Sequence, residues 1–306
     1  MKVNVITLYE GHYHYGVAAL INSLLACGFQ GKITAYCRDG EPLPPWTRGL
    51  PRIADHAFQL PGSLLAFKPT AVKRHFGYHK PFAALEELTA DPECEAVVYA
   101  DPDVLFLAPW KFFEEWLGMG LALCLDVSFP YLSENHQWRK TWKDLLARAT
   151  GEVSGTTSQY VNSGFFGVAR TDLDFLRQWI KVTQKFEEEG GNTTSFDLIN
   201  RHRAIVGDQD LLATTLMGWR KGVSILGQEG MGFNGDYFIL SHHIWTPKPW
   251  IRSFIKESLK GERPSPAAGF YLKFSNAPLA PYSAGQLFRK QLGFKFAQLI
   301  SRLWSR

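Results

Sequence analysis

Hydrophobic and polar positions divide the first half of the chain into alternating strand-like and helix-like segments. The run KVNVITLY (residues 2–9) reads as a strand. YHYGVAALINSLLACG (13–28) follows with helical period and closes on Gly28 as a C-cap. KITAYC (32–37) is a second strand. Beyond the proline-rich loop GEPLPPW (40–46), HKPFAALEELTA (79–90) is a helix with Pro81 near its start. EAVVYA (95–100) is an unbroken apolar strand of the kind buried in a parallel sheet. Strands separated by helices predict a doubly wound α/β sheet, whose ligands bind outside the carboxyl ends of the strands.

The second half continues the pattern. LALCLD (121–126) is a strand, QWRKTWKDLLARA (137–149) a helix and NSGFFGVAR (162–170) a strand. TDLDFLRQWIKVTQKFEEE (171–189) is an amphipathic helix with Thr171 as its expected cap. GDQDLLATTLMGW (207–219) opens another helix, and YFILSHHIW (237–245) is a late strand. No repeat or long low-complexity segment interrupts the series.

Composition is that of an ordinary globular chain. Of 306 residues, 45% are hydrophobic and 20% charged, which is enough apolar chain for one large domain or two modest ones. The longest apolar stretch, Gly16 to Phe29, is shorter than the ~20 residues that cross a bilayer. The start MKVNVITLYE lacks a charged n-region and an apolar h-region. Cys27, Cys37, Cys94 and Cys124 stand in apolar contexts without CxxC spacing and read as reduced core thiols. A cytoplasmic protein is the expectation. The net charge of +4 is uneven: no acid follows Glu262, but seven bases do. The remaining 26 bases face 29 acids, so the basic character belongs to the tail, which argues against general nucleic-acid binding.

Candidate chemistry starts at AVVYADPDVLFLAPW (96–110), where Asp101 and Asp103 bracket Pro102. In an extended strand residues i and i+2 share a face, so the two carboxylates can converge on one cation. At about 4 Å and an effective dielectric near 20, they would repel by about 4 kcal/mol. A bound Mg²⁺ or Mn²⁺ would offset that repulsion. The alternative is a pair of turn acids capping the helix after Pro109. Three more segments bear on the choice. Asn162, Ser163 and Gly164 open a buried strand, and Asp208, Gln209 and Asp210 open a helix. SHHIWTPKPW ends a strand with His242 and His243, followed by Lys248, Pro249 and Trp250.

Together these segments resemble the nucleotide-sugar-dependent glycosyltransferases of the GT-A fold, in particular the retaining group of glycogenin and bacterial lipopolysaccharide galactosyl- and glucosyltransferases. The likeness covers Val3 to Trp250. Its D-x-D motif matches Asp101 and Asp103, its N-[SA]-G strand Asn162 to Gly164, and its D-Q-D helix start Asp208 to Asp210. Its last motif, a histidine six residues before K-P-W, fits His242, whereas His243 is one residue short. The family usually has glycine three residues after that histidine; here Trp245 stands there, which leaves both histidines as candidates.

The resemblance implies a GT-A domain over residues 1–262, with a mostly parallel twisted sheet flanked by helices; the basic, aromatic residues 263–306 form a helical extension beyond it. It implies that Asp101, Asp103 and His242 hold Mn²⁺ or Mg²⁺ on the donor diphosphate, the donor being a nucleotide-sugar and most simply a UDP-sugar. Lys248 and Lys80 would add positive charge there. Asn162 and Asp208 would bind sugar hydroxyls, and Gln209 would sit beneath the anomeric carbon, with Asp210 completing the catalytic motif. Thr7 and Tyr9 would meet the nucleobase and ribose. A hexose would pass with retention to a glycan or lipid-linked acceptor, as in polysaccharide or lipopolysaccharide biosynthesis.

The remaining signals are weaker. GMGFNG (230–235) fits G-x-G-x-x-G but precedes a strand instead of a helix, so it reads as a loop near the sugar site. Phe129, Tyr131, Trp138 and Trp142 could form an acceptor platform or simply pack. His12, His14, His56, His75, His79, His136 and His202 read as ordinary polar positions. On a helical wheel Phe288, Leu292, Phe296, Leu299 and Leu303 share a face flanked by Arg289, Lys290, Lys295 and Arg302, with Phe294 and Trp304 outside it. Residues 287–306 therefore either lie in a membrane interface at the cytoplasmic leaflet or dock on the domain. Two rivals remain for the function: a non-catalytic glycan- or nucleotide-binding protein on the same fold, and a sugar nucleotidyltransferase, which the absence of lysine and arginine from TLYEGHYHYG disfavours.

Overall fold

The computed structural model describes residues 1–128, 131–151, 153, 157–197, 203–234 and 238–303. Its strands are β1 (Val3–Tyr9), β2 (Lys32–Arg38), β3 (Arg52–Ala54), β4 (Ala57–Leu60), β5 (Ser63–Thr70), β6 (Ala96–Ala100), β7 (Val104–Phe106), β8 (Leu121–Leu125), β9 (Val161–Ala169), β10 (Val223–Leu226) and β11 (Leu240–His242). Its helices are α1 (His14–Ala26), α2 (Phe76–Ala90), α3 (Trp110–Leu117), α4 (Gln137–Thr150), α5 (Leu173–Glu188), α6 (Asp208–Leu216), α7 (Phe254–Ser258), α8 (Pro266–Phe274) and α9 (Ala284–Leu303).

Nine strands form one sheet in the order β10-β8-β9-β6-β1-β2-β5-β4-β3, while β11 and β7 pair separately. Seven of the nine point the same way; β4 and β9 run against their neighbours. The chain is thus an α/β protein with a mostly parallel, mixed sheet flanked by helices. β1 and β6 are buried on both faces, as their unbroken apolar runs predict. One core lies between the sheet, α1 and α3; another lies between the sheet, α2, α4, α5 and α6.

Most expected elements form where the pattern places them. α1 ends on Gly28, whose φ of +87° reverses the chain so that Phe29 N–H reaches the Leu24 carbonyl at 3.0 Å. Two helix starts differ from expectation. α2 begins at Phe76, capped by His75 Nδ1 accepting from Gly77 N–H, so Pro81 lies inside the helix instead of near its start. Thr171 does not cap α5, because the chain enters it through a 3₁₀ turn over Arg170–Asp172. The strands β3 to β5 carry no clear polar–apolar alternation in the sequence and emerge only in the structure.

Two registers position the site. Antiparallel pairing of β6 with β9 sets Ala100 against Phe165, and Asp101 N–H then donates to the Gly164 carbonyl at 2.8 Å. Antiparallel pairing of β11 with β7 sets His242 against Val104, next to Asp103. α1 closes the floor. A Cβ on Gly16 would run into the Pro102 carbonyl and the Trp250 ring, so only glycine lets the helix approach this closely.

Candidate metal centre and its cavity

Asp101 and Asp103 do not share an extended strand. β6 stops at Ala100 and β7 starts at Val104, and Val104 N–H donates to the Asp101 carbonyl at 2.9 Å to close a turn. The turn still presents both carboxylates to one cavity. His242 joins them: one ligand atom from each of Asp101, Asp103 and His242 lies within 4.8 Å of the other two. His242 Nε2 is 3.4 Å from Asp103 Oδ1.

Strand alternation decides between the histidines. His242 lines the cavity, while His243 turns to the other side and is buried near Ser265, its Nδ1 3.5 Å from the hydroxyl. Burial, helped by the Lys248 ammonium, pulls the His243 imidazole down to about 4, so it is neutral. Trp245 is exposed.

Two buried lysines balance the acids. Lys248 Nζ contacts Asp103 Oδ2 and donates to the His243 carbonyl at 2.8 Å. Burial alone would raise the Asp103 carboxyl, but the His242 imidazole and the Lys248 ammonium outweigh it and hold it well below the usual carboxylate range. Lys80 Nζ sits 3.2 Å from Asp101 Oδ1, 2.8 Å from Asp208 Oδ2 and 3.0 Å from the Ser163 carbonyl. Burial opposes its charge, yet the carboxylates of Asp101 and Asp208 raise its pKa. The Tyr99 hydroxyl donates to Asp101 from below. The repulsion inherent in the D-x-D motif is therefore met by ammonium groups even without an ion.

The cavity measures about 390 Å³, within the usual range for small-molecule sites. Asn162, Asp208 and Gln209 line it beside the metal-type cluster. Asn162 is clamped, its Oδ1 accepting from Gly164 N–H and its Nδ2 donating to Asp126 Oδ2, both at 2.9 Å. Gln209 Oε1 accepts from Ser163 N–H at 3.1 Å, which fixes its amide at the cavity wall. Tyr9, Glu10 and Tyr13 line it as well.

Two expected site residues do not line it. Thr7 is fully buried in β1. Asp210 turns inward, accepting from the Tyr160 hydroxyl at 2.6 Å and from the Val206 and Gly207 N–H groups at 2.8 and 3.1 Å. It ties down the start of α6 and so positions Asp208 and Gln209. Burial lifts its carboxyl to about 6 against those three donors.

Several further residues shape the site. His75 and Phe196 line the cavity, their rings 4.1 Å apart. Phe196 had no motif to mark it, but His75 opens the helix that carries Lys80. Asp126 holds Asn162 from the end of β8, and the strand-end rule that singles out Asp101 points to it equally. His12 is not an idle polar position: its Nδ1 accepts from Trp250 Nε1 at 2.7 Å, latching the Lys248 loop to the start of α1. Of the aromatic segment, Trp142 is core, stacked on Tyr160, and Trp138 packs beside it; Tyr131 is exposed, and Phe129 lies outside the described residues. In the glycine-rich loop, Phe233 packs against His242, while Gly235 falls outside the described residues, as do His202, Trp304 and Arg306.

No family model and no curated protein matches this chain.

Proposed function

We propose that the protein is a divalent-metal-dependent glycosyltransferase that moves a hexose from a nucleoside diphosphate sugar, most simply a UDP-sugar, to a glycan acceptor. One observation carries this reading: two carboxylates and an imidazole converge within 4.8 Å at the wall of a cavity also lined by two lysines and by Asn162, Asp208 and Gln209. Oxygen and imidazole donors in that combination suit Mn²⁺, and also Mg²⁺. Asp101, Asp103 and His242 would hold the ion, which when bound supplies positive charge to a diphosphate.

The chain's own groups supply the rest. Lys248 lies beside Asp103 and adds a fixed charge where the leaving diphosphate accumulates its own. Lys80 holds Asp101 and Asp208 together, so the metal end and the sugar end keep a fixed spacing. Asn162 and Asp208 offer hydrogen bonds to sugar hydroxyls. The Gln209 amide, oriented by Ser163, faces the anomeric centre without acting as a nucleophile. Retention then follows from attack on the face the diphosphate leaves: the anomeric carbon–phosphate oxygen bond breaks, the bond to the acceptor oxygen forms, and the acceptor proton passes to a departing phosphate oxygen.

A panel of UDP-, GDP- and CMP-sugars tests the reading by mass spectrometry, with and without acceptor glycans. Nucleoside diphosphate release that EDTA stops and Mn²⁺ restores is the expected outcome. Metal-dependent nucleotide binding without release from any donor would instead identify a binding protein, and pyrophosphate-dependent chemistry a nucleotidyltransferase. Absence of any metal-dependent nucleotide binding in calorimetry would dispose of the site altogether.

A further inference from the structure

Helix α9 has two apolar sides, and the fold uses one. At about 100° per residue, Leu287, Phe294, Ala297 and Ser301 share a side. Leu287, Ala297 and Ser301 are buried, and Phe294 meets Phe254 of α7 edge-on. Lys290 also belongs to this side and donates to the Trp250 carbonyl at 2.9 Å. Phe288, Leu292, Phe296, Leu299 and Leu303 occupy the opposite side and are between 41% and 76% exposed. The face marked out by the sequence pattern is therefore not the docked one.

Five large apolar side chains in one exposed row mark a surface that binds something. Arg289 borders the row on one edge, and Lys295 and Arg302 on the other; all three are exposed. α7, packed along α9, and the turn after it expose Ile255 and Leu259 together with Lys256 and Lys260. No acid follows Glu262 anywhere in the chain. Among the described residues no helix is long and apolar enough to cross a membrane.

We propose that this face of α9 docks flat on an anionic membrane surface, with the apolar row at the boundary of headgroups and acyl chains and the flanking bases against lipid phosphates. A second copy of the chain fits less well. A two-fold contact through this face would bring Arg289, Lys295 and Arg302 of the two copies into one seam, with no acid on the helix to separate them.

Co-sedimentation of the full chain with vesicles tests it. With phosphatidylcholine vesicles containing about 30% phosphatidylglycerol at low salt, the protein should sediment, and pure phosphatidylcholine or high salt should weaken binding several-fold. The triple variant Phe288→Ser, Leu292→Ser, Phe296→Ser should bind at least tenfold more weakly with an unchanged circular dichroism spectrum. The charge reversal Arg289→Glu, Lys295→Glu, Arg302→Glu should abolish the preference for phosphatidylglycerol, and it decides the matter alone if the first variant misfolds. Failure to sediment, or equal sedimentation by all three proteins, overturns the proposal. So does a lipid-free dimer that the serine variant dissolves, which would assign the face to a second copy.

Discussion

Asp101 and Asp103 look equivalent in a motif but differ energetically. Asp103 is buried between Lys248 and His242, whereas Asp101 is a quarter exposed and shares Lys80 with Asp208. Removing one partner of a buried pair leaves the other uncompensated, so Asp103→Asn should cost about 3–5 kcal/mol as well as metal binding. Asp101→Asn should lose Mn²⁺ binding at a cost nearer 1 kcal/mol. Urea denaturation beside Mn²⁺ calorimetry checks both, and equal stability losses would refute the distinction. Asp210 yields a pH prediction. Its carboxyl lies near 6 in the folded chain against an ordinary value of 3.8, so between those pH values the folded state holds the extra proton. Stability should then fall as pH rises through that window, by on the order of 3 kcal/mol in all. Asp210→Asn should flatten that slope in urea melts taken from pH 4 to 7; an unchanged slope would exonerate this residue.

Among the elements, β9 matters most to the site. It presents Asn162, Ser163 and Gly164, and at Gly164 the absence of a side chain is essential. A Cβ there would collide with the His242 ring and lie 2.8 Å from Asn162 Oδ1. Gly164→Ala should therefore displace His242 and weaken Mn²⁺ binding 10- to 100-fold while the sheet still forms. Retained affinity in calorimetry would show that His242 has room to move. The pattern of β9 in the sequence is that of any apolar strand beginning with small polar residues. Its antiparallel direction, which brings Gly164 to Asp101, is not written in its periodicity, because an apolar run buried on both faces reads the same in either direction. β11 shows the same limit: SHH names two histidines, and only its register against β7 turns His242 inward.

At the scale of the molecule, one buried side chain joins the C-terminal helices to the sheet domain. Asn22 in α1 donates towards the carbonyls of Phe274, Asn276 and Leu279 at 2.7–2.8 Å and accepts from Leu279 N–H at 3.1 Å. Asn22→Ala would strand buried carbonyls, so it should cost about 2–4 kcal/mol and open residues 266–303 to proteolysis first. Uniform cleavage along the chain would contradict that order. Lys290 on α9 and His12 before α1 both hold Trp250, so the tail and the Lys248 loop share a support.

The alternation of strands and helices, the strand ends where acids and amides collect, and the apolar row of α9 with its flanking bases were legible in the sequence, because each depends on neighbours a few positions apart. That Asp101, Asp103 and His242 meet, that Asp210 braces a helix while Asp126 holds Asn162, and which side of α9 stays open are settled by the folded chain. Those outcomes depend on strand direction, register and packing between segments up to about 250 residues apart, which local periodicity does not encode.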